Sequence, residues 1–178
     1  MTAMFRHALR RFRRDKDGTA SIEFVIVVPV FLALMMMSIE IGFITMRNTM
    51  LERGLDIAVR EIRLGTGNAP QHDAIKKIVC DNSVVIYDCM NTLRLEMRPT
   101  DIRAFNALNT EADCTDAAEP TKPLRTFTPG GQNELMLLRV CVKYKPLFPK
   151  QFLGAALQKD VNGQAAIISM AAFVQEPI

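Results

Sequence analysis

Hydrophobic residues are distributed along this chain in three successive patterns, and each predicts a different kind of element. From Phe24 to Met46 the run FVIVVPVFLALMMMSIEIGFITM is apolar on every helical face and holds one charge, Glu40, in 23 positions. A helix of that length rises about 35 Å, enough to cross a hydrocarbon core of about 30 Å. The next stretch keeps a helical period but narrows its apolar surface to one stripe. Leu51, Leu55, Ala58 and Ile62 recur at i, i+4, i+7 and i+11, while Arg53, Asp56, Arg60, Glu61 and Arg63 take the other faces. Together they predict one helix from about Thr19 to Leu64, in lipid over its first half and amphipathic over its second. Gly65, Gly67 and Pro70 supply the stop.

After the helix the period shortens towards two. Gln71 to Cys80 still reads as a short helix, with Ala74, Ile75, Ile78 and Val79 on one side. Val84 to Tyr87 is β-branched and aromatic, and Leu93, Leu95 and Met97 alternate with Arg94, Glu96 and Arg98 before Pro99. Glu134 to Tyr144 alternates again, and Ala165 to Gln175 completes the strand signals. The polar stretch from Asn106 to Gln132 reads as a long loop, and Pro146, Pro149 and Gly154 mark a connection with a short helix around Gln151 to Leu157. Helix first and strands afterwards is the order of an α+β fold. Both patterns are buried if an antiparallel sheet of three to five strands lies across the apolar face of the long helix.

Composition changes this picture mainly through where the charges lie. The net charge of +3 invites a nucleic-acid partner, but residues 1–18 hold six of the 22 basic residues and two of the 19 acidic ones, leaving 16 against 17 beyond Gly18. A nearly neutral body offers no footprint for DNA or RNA. A basic cluster directly before a membrane helix instead fixes topology: residues 1–18 stay cytoplasmic and the 132 residues from Arg47 to Ile178 cross the lipid bilayer.

All four cysteines, Cys80, Cys89, Cys114 and Cys141, fall in that exported part. An even number in an oxidising compartment favours two disulfides, and proximity along the chain favours Cys80 with Cys89 and Cys114 with Cys141 among the three connectivities. Zinc would need closely paired ligands, and no C-x-x-C is present. Catalysis finds little support: the two histidines, His7 and His72, lie far apart in sequence, and neither G-x-S-x-G nor a phosphate-cradling glycine loop occurs. No enzyme activity and no cofactor is expected.

The sharpest motif is Gly18-Thr19-Ala20-Ser21-Ile22-Glu23-Phe24, set between the basic leader and the apolar run. It resembles the processing site of type IV prepilins and of tight-adherence (Tad) pilus proteins: a glycine before the cut, a glutamate at the fifth mature position and an aromatic after it. Pro29 inside the run, Glu40 towards its far end and Ala58-Val59-Arg60-Glu61-Ile62-Arg63 beyond it are similar to the TadE-like family, as is the ending Ala172 to Ile178. The close likeness covers about Asp15 to Leu64. It implies a pilin-like α+β fold in three parts: a cleaved leader at 1–18, a transmembrane helix at 19–46 and a periplasmic domain at 47–178. It further implies a minor pilin or pseudopilin of the bacterial inner membrane, with a prepilin peptidase, other minor pilins, the major pilin and an inner-membrane assembly platform as partners. A minor pseudopilin of a type II secretion machine shares the same physics, and an uncleaved, signal-anchored periplasmic binding protein is the reading from another class.

Each residue of the motif has a physical task under that resemblance. Gly18, lacking a Cβ, lets a peptidase approach the bond to Thr19 closely. Cleavage there would leave an ammonium at the bilayer edge, where an unpaired charge is costly. Glu23, one turn further on, is placed to neutralise the terminal amine of a neighbouring subunit, with Phe24 beside it. Glu40 is an ionisable group inside an apolar span, expected either at the outer interface in contact with water or paired with Arg47 of a neighbouring helix.

Overall fold

The computed structural model describes residues 19–64, 71–101, 114, 127–128 and 130–176. Helix α1 runs without interruption through Thr19–Leu64, with Pro29 inside it. It is followed by α2 (His72–Asp81), a single turn α3 (Cys89–Thr92) and strand β1 (Leu93–Pro99). Strand β2 (Leu135–Tyr144), the short helix α4 (Phe152–Ala156) and strand β3 (Ala165–Val174) complete the order. The architecture is α+β: a long N-terminal apolar helix packed against a small antiparallel sheet. The leader, the stop at 65–70 and most of the polar stretch from 106 to 132 lie outside the described residues.

The chain divides into two units at Ile39 and Glu40. In the first, α1 carries its apolar residues outward: Phe24, Val25, Ile26, Val30 and Phe31 all remain exposed. In the second, the predicted stripe of Leu51, Leu55, Ala58 and Ile62 is buried to 3% exposure or less. It packs into one cluster with Ile75 and Val79 of α2 and the inward-facing residues of the sheet, among them Leu93, Leu95, Met97, Leu138, Val140, Val142 and Ile167. Removing such area from water is the main term holding the body together, at about 25 cal/mol per Å².

The sheet has three strands in the order β1-β2-β3, both pairs antiparallel. Leu93 stands opposite Val142 and Met97 opposite Leu138, while Met136 stands opposite Phe173 and Val142 opposite Ile167. β1 and β3 alternate as period-two patterning requires, one face inward. Central β2 differs, being buried on both faces from Leu138 to Tyr144. Its outward Arg139 is only 6% exposed and is held by the cross-strand Glu96, Nε to Oε2 at 3.0 Å. Lys143 donates to Asp160 at 2.7 Å. Burial pushes the Asp160 carboxyl up, but Lys143 and the N–H groups of Gln164 and Asn162 outweigh it and hold the carboxyl below its ordinary value. Cys141, also outward, is bonded to Cys114.

One predicted strand is absent. Residues 84–87 form turns rather than an extended segment. The cause is the Cys80–Cys89 disulfide, which brings two Cα atoms nine residues apart to 5.6 Å and obliges the chain between them to reverse. Ser83 N–H donates to the Cys80 carbonyl and Ile86 N–H to that of Ser83, so only Ile86 turns inward while Val84 and Tyr87 stay exposed. The same turn is fastened to α1 by the buried Ser83, whose hydroxyl donates to the Met50 carbonyl at 3.0 Å. Gly54 makes this contact possible, because a Cβ there would lie 2.6 Å from the Val79 carbonyl oxygen.

Candidate functional site

The residues singled out by sequence fall at three places. Gly18 lies outside the described residues, and Thr19 is the first residue of α1. Glu23 and Phe24 occupy the first turns of that helix, both exposed, within a surface that is otherwise apolar. Intrinsic helix propensity cannot be what orders the start of this segment, since β-branched Val and Ile crowd it from Val25 to Val30. A helix is simply the local form that satisfies every backbone N–H and C=O within one apolar segment. α1 is the helix among the described residues that is long and apolar enough to cross a membrane.

Glu40 is elsewhere, and its environment overturns the expected one. The side chain is 1% exposed. Oε1 accepts the N–H of Leu147 at 3.0 Å and Oε2 that of Phe148 at 2.9 Å. The expectation of a carboxylate in contact with water at an interface is therefore corrected: Glu40 is turned into its own fold, where it caps two backbone donors of the connection after β2. Arg47, the other half of the expected pair, is likewise occupied within its own chain. Its guanidinium carbon lies 4.9 Å from the centre of the Tyr144 ring and 5.9 Å from that of Phe43. Burial pushes the Tyr144 hydroxyl above its ordinary value, with the Glu40 charge adding to the effect and the Arg47 charge opposing it.

The capped connection is braced by further contacts. Lys159 donates to the Pro149 carbonyl at 2.7 Å and also to that of Gly154. A Cβ at Gly154 would run into the Phe148 carbonyl, so glycine is what lets α4 close over the loop. Sequence reading missed this arrangement because its donors are backbone groups 107 and 108 residues away from Glu40. The available signal was weak: two prolines, Pro146 and Pro149, flank Leu147 and Phe148 and bar that stretch from helix or ladder, so its N–H groups needed an acceptor from outside.

The cysteines pair as Cys80 with Cys89 and Cys114 with Cys141, with no free thiol among the described residues. Among the described residues no group of three or more His, Cys, Asp or Glu is placed to hold a metal ion. What this geometry offers is a surface for association, carried by an exposed apolar helix with one carboxylate near its start.

Comparison with known proteins agrees on that segment. The family model described as TadE-like protein matches residues 18–60, about a quarter of the chain. No curated protein and no solved structure matches.

Proposed function

We propose that this chain is a minor pilin or pseudopilin of the TadE-like kind, which joins a Tad-type pilus-assembly complex through its N-terminal helix after a prepilin peptidase removes residues 1–18. The observation that carries the reading is a coincidence of positions. The family match over 18–60 covers the part of α1 whose apolar side chains are left exposed and which includes Glu23. A water-soluble protein rarely leaves so large a contiguous apolar surface uncovered, so lipid and neighbouring helices are its natural surroundings. Once the leader is gone, the new amine at Thr19 lies about one turn from Glu23, and a carboxylate there favours pairing with the amine of an adjacent subunit. The two disulfides support an oxidising location for the body, hence a cytoplasmic leader and a periplasmic domain.

N-terminal sequencing of the mature protein tests the processing step. In cells with an active prepilin peptidase the chain should begin at Thr19, and an intact Met1 would sink the proposal. Glu23→Ala should be processed normally yet assemble poorly, and unchanged assembly would remove the role given to that carboxylate.

A further inference from the structure

The connection between β2 and α4 has a place and a composition that the anchoring helix alone does not explain. β2 ends at Tyr144, level with Arg47 on α1. Three residues later the chain is bonded to Glu40. Arg47 and Glu40 lie seven positions apart on α1, so the connection runs about 10 Å along the helix towards its N-terminus before turning back. It therefore lies beside Glu40 to Met46, the last turns of the apolar run, whose Ile41, Phe43 and Met46 are themselves exposed.

From this we infer that residues 145–153 form a second membrane-contacting element, a loop that settles into the phospholipid headgroup and upper acyl region beside the exit of the helix. The inference rests on the reading of Phe24 to Met46 as a membrane span. Leu147 on the loop and Phe152 at the start of α4 are exposed apolar side chains, and Phe148 is half-buried between them in sequence. Lys145 and Lys150, both exposed, bracket Leu147 and Phe148 in sequence, and Phe152 follows two residues after Lys150. Lysine stems reach along apolar surface while their ammonium heads meet phosphate oxygens, so the charge and the chemistry both complement a phospholipid surface.

Two further features fit a loop in that zone. Irregular backbone is tolerated at membrane depth only where protein groups satisfy it. Here Glu40 accepts the N–H groups of Leu147 and Phe148, the Phe148 carbonyl accepts the Gln151 N–H, and Lys159 donates to the Pro149 and Gly154 carbonyls. Phe152, moreover, holds φ at 45°, a left-handed conformation that a bulky residue adopts at a cost. Its ring is left exposed.

The chain contains no tryptophan, so a single introduced one reports cleanly. The full chain, reconstituted in vesicles of phosphatidylcholine and phosphatidylglycerol, should be prepared as Leu147→Trp, Phe152→Trp, Phe31→Trp and Tyr87→Trp. Emission at 147 and 152 should be blue-shifted and quenched most by lipids brominated near the headgroup end of the acyl chain. Phe31→Trp should be quenched by deeply brominated lipid, and Tyr87→Trp should emit as in water. Quenching at 31 with water-like emission at 147 and 152 would overturn the loop and leave the anchor standing. No quenching at 31 would overturn the span and the loop together. A blue shift at 147 that follows protein density and ignores brominated lipid would mean the surface meets another subunit, and the lipid assignment would fall. Lys145→Gln and Lys150→Gln should each lower the docked-to-undocked ratio about fivefold in the anionic vesicles. Unchanged quenching in the double variant would overturn the part given to the lysines.

Discussion

The two halves of α1 use the same backbone for opposite purposes. Up to Ile39 most of its apolar residues stay exposed, on every helical face; from Leu51 on, a single stripe at spacings of four, three and four is driven into the sheet. The difference shows which interactions fold the body and which are reserved for a different solvent. Burial of that stripe is already complete, so Leu51, Leu55, Ala58 and Ile62 gain nothing from lipid. The first half has nothing of its own to bury against and gains only when membrane or other helices surround it. Substitutions of one chemistry should therefore separate the halves. Leu55→Ala should destabilise the body by roughly 2–5 kcal/mol, as large-to-small changes in a packed core do. Val27→Ala should leave urea unfolding of the body, followed in detergent, within about 0.5 kcal/mol of the parent. Equal effects at the two positions would break the contrast.

The two carboxylates of the helix sharpen it. Glu23 is exposed on the apolar half, available to a group from another chain, whereas Glu40 has both oxygens bonded within its own fold. Glu40→Ala strips two part-buried backbone donors of their acceptor, at up to roughly 1–3 kcal/mol each, with relief from water and from relaxation of the loop. A loss of about 2–3 kcal/mol is expected by urea unfolding. Amide exchange at Leu147 and Phe148 should accelerate well beyond that of β2. Glu40→Gln should rescue only in part, because its amide sets one acceptor and one NH2 group against two donors. Full rescue by glutamine would show that the carboxylate charge is dispensable.

How far these features are legible in sequence depends on the range of the interaction that makes them. The stripe of Leu51, Leu55, Ala58 and Ile62, and the alternation of Leu93, Leu95 and Met97, are written in local periodicity, and both are buried as their spacing requires. Val84 to Tyr87 carries the residue types of a strand, but a disulfide closing the loop around it overrides that preference. Central β2 reads as half-solvated by its alternation of Arg139, Cys141 and Lys143. Each of these finds a partner from another part of the chain, Glu96, Cys114 and Asp160, so both faces are covered. Glu40 is the extreme case: its residue type announces a function, but the groups it holds are main-chain N–H groups marked in sequence only by the flanking Pro146 and Pro149.

The smallest expected effect lies at the far end of α1, where a second ion-containing contact closes the helix onto the chain's end. Arg63 donates to Glu176 at 3.0 Å, a contact of the same formal kind as Glu40's, a charge binding a distant segment to the helix. The two side chains are 48% and 50% exposed, so water competes for both partners and salt screens them. Both also give up rotamer freedom to meet. Glu176→Gln should therefore cost no more than about 1 kcal/mol, and less as salt is raised. The segment is also fixed by groups that carry no charge: Gln175 donates its side-chain amide to the Ile62 carbonyl at 3.3 Å, and its backbone N–H to Glu134 at 3.0 Å. If urea unfolding of Glu176→Gln instead showed a loss as large as that of Glu40→Ala, burial would not be what separates the two contacts. The contrast would then have to be sought in the segments they hold.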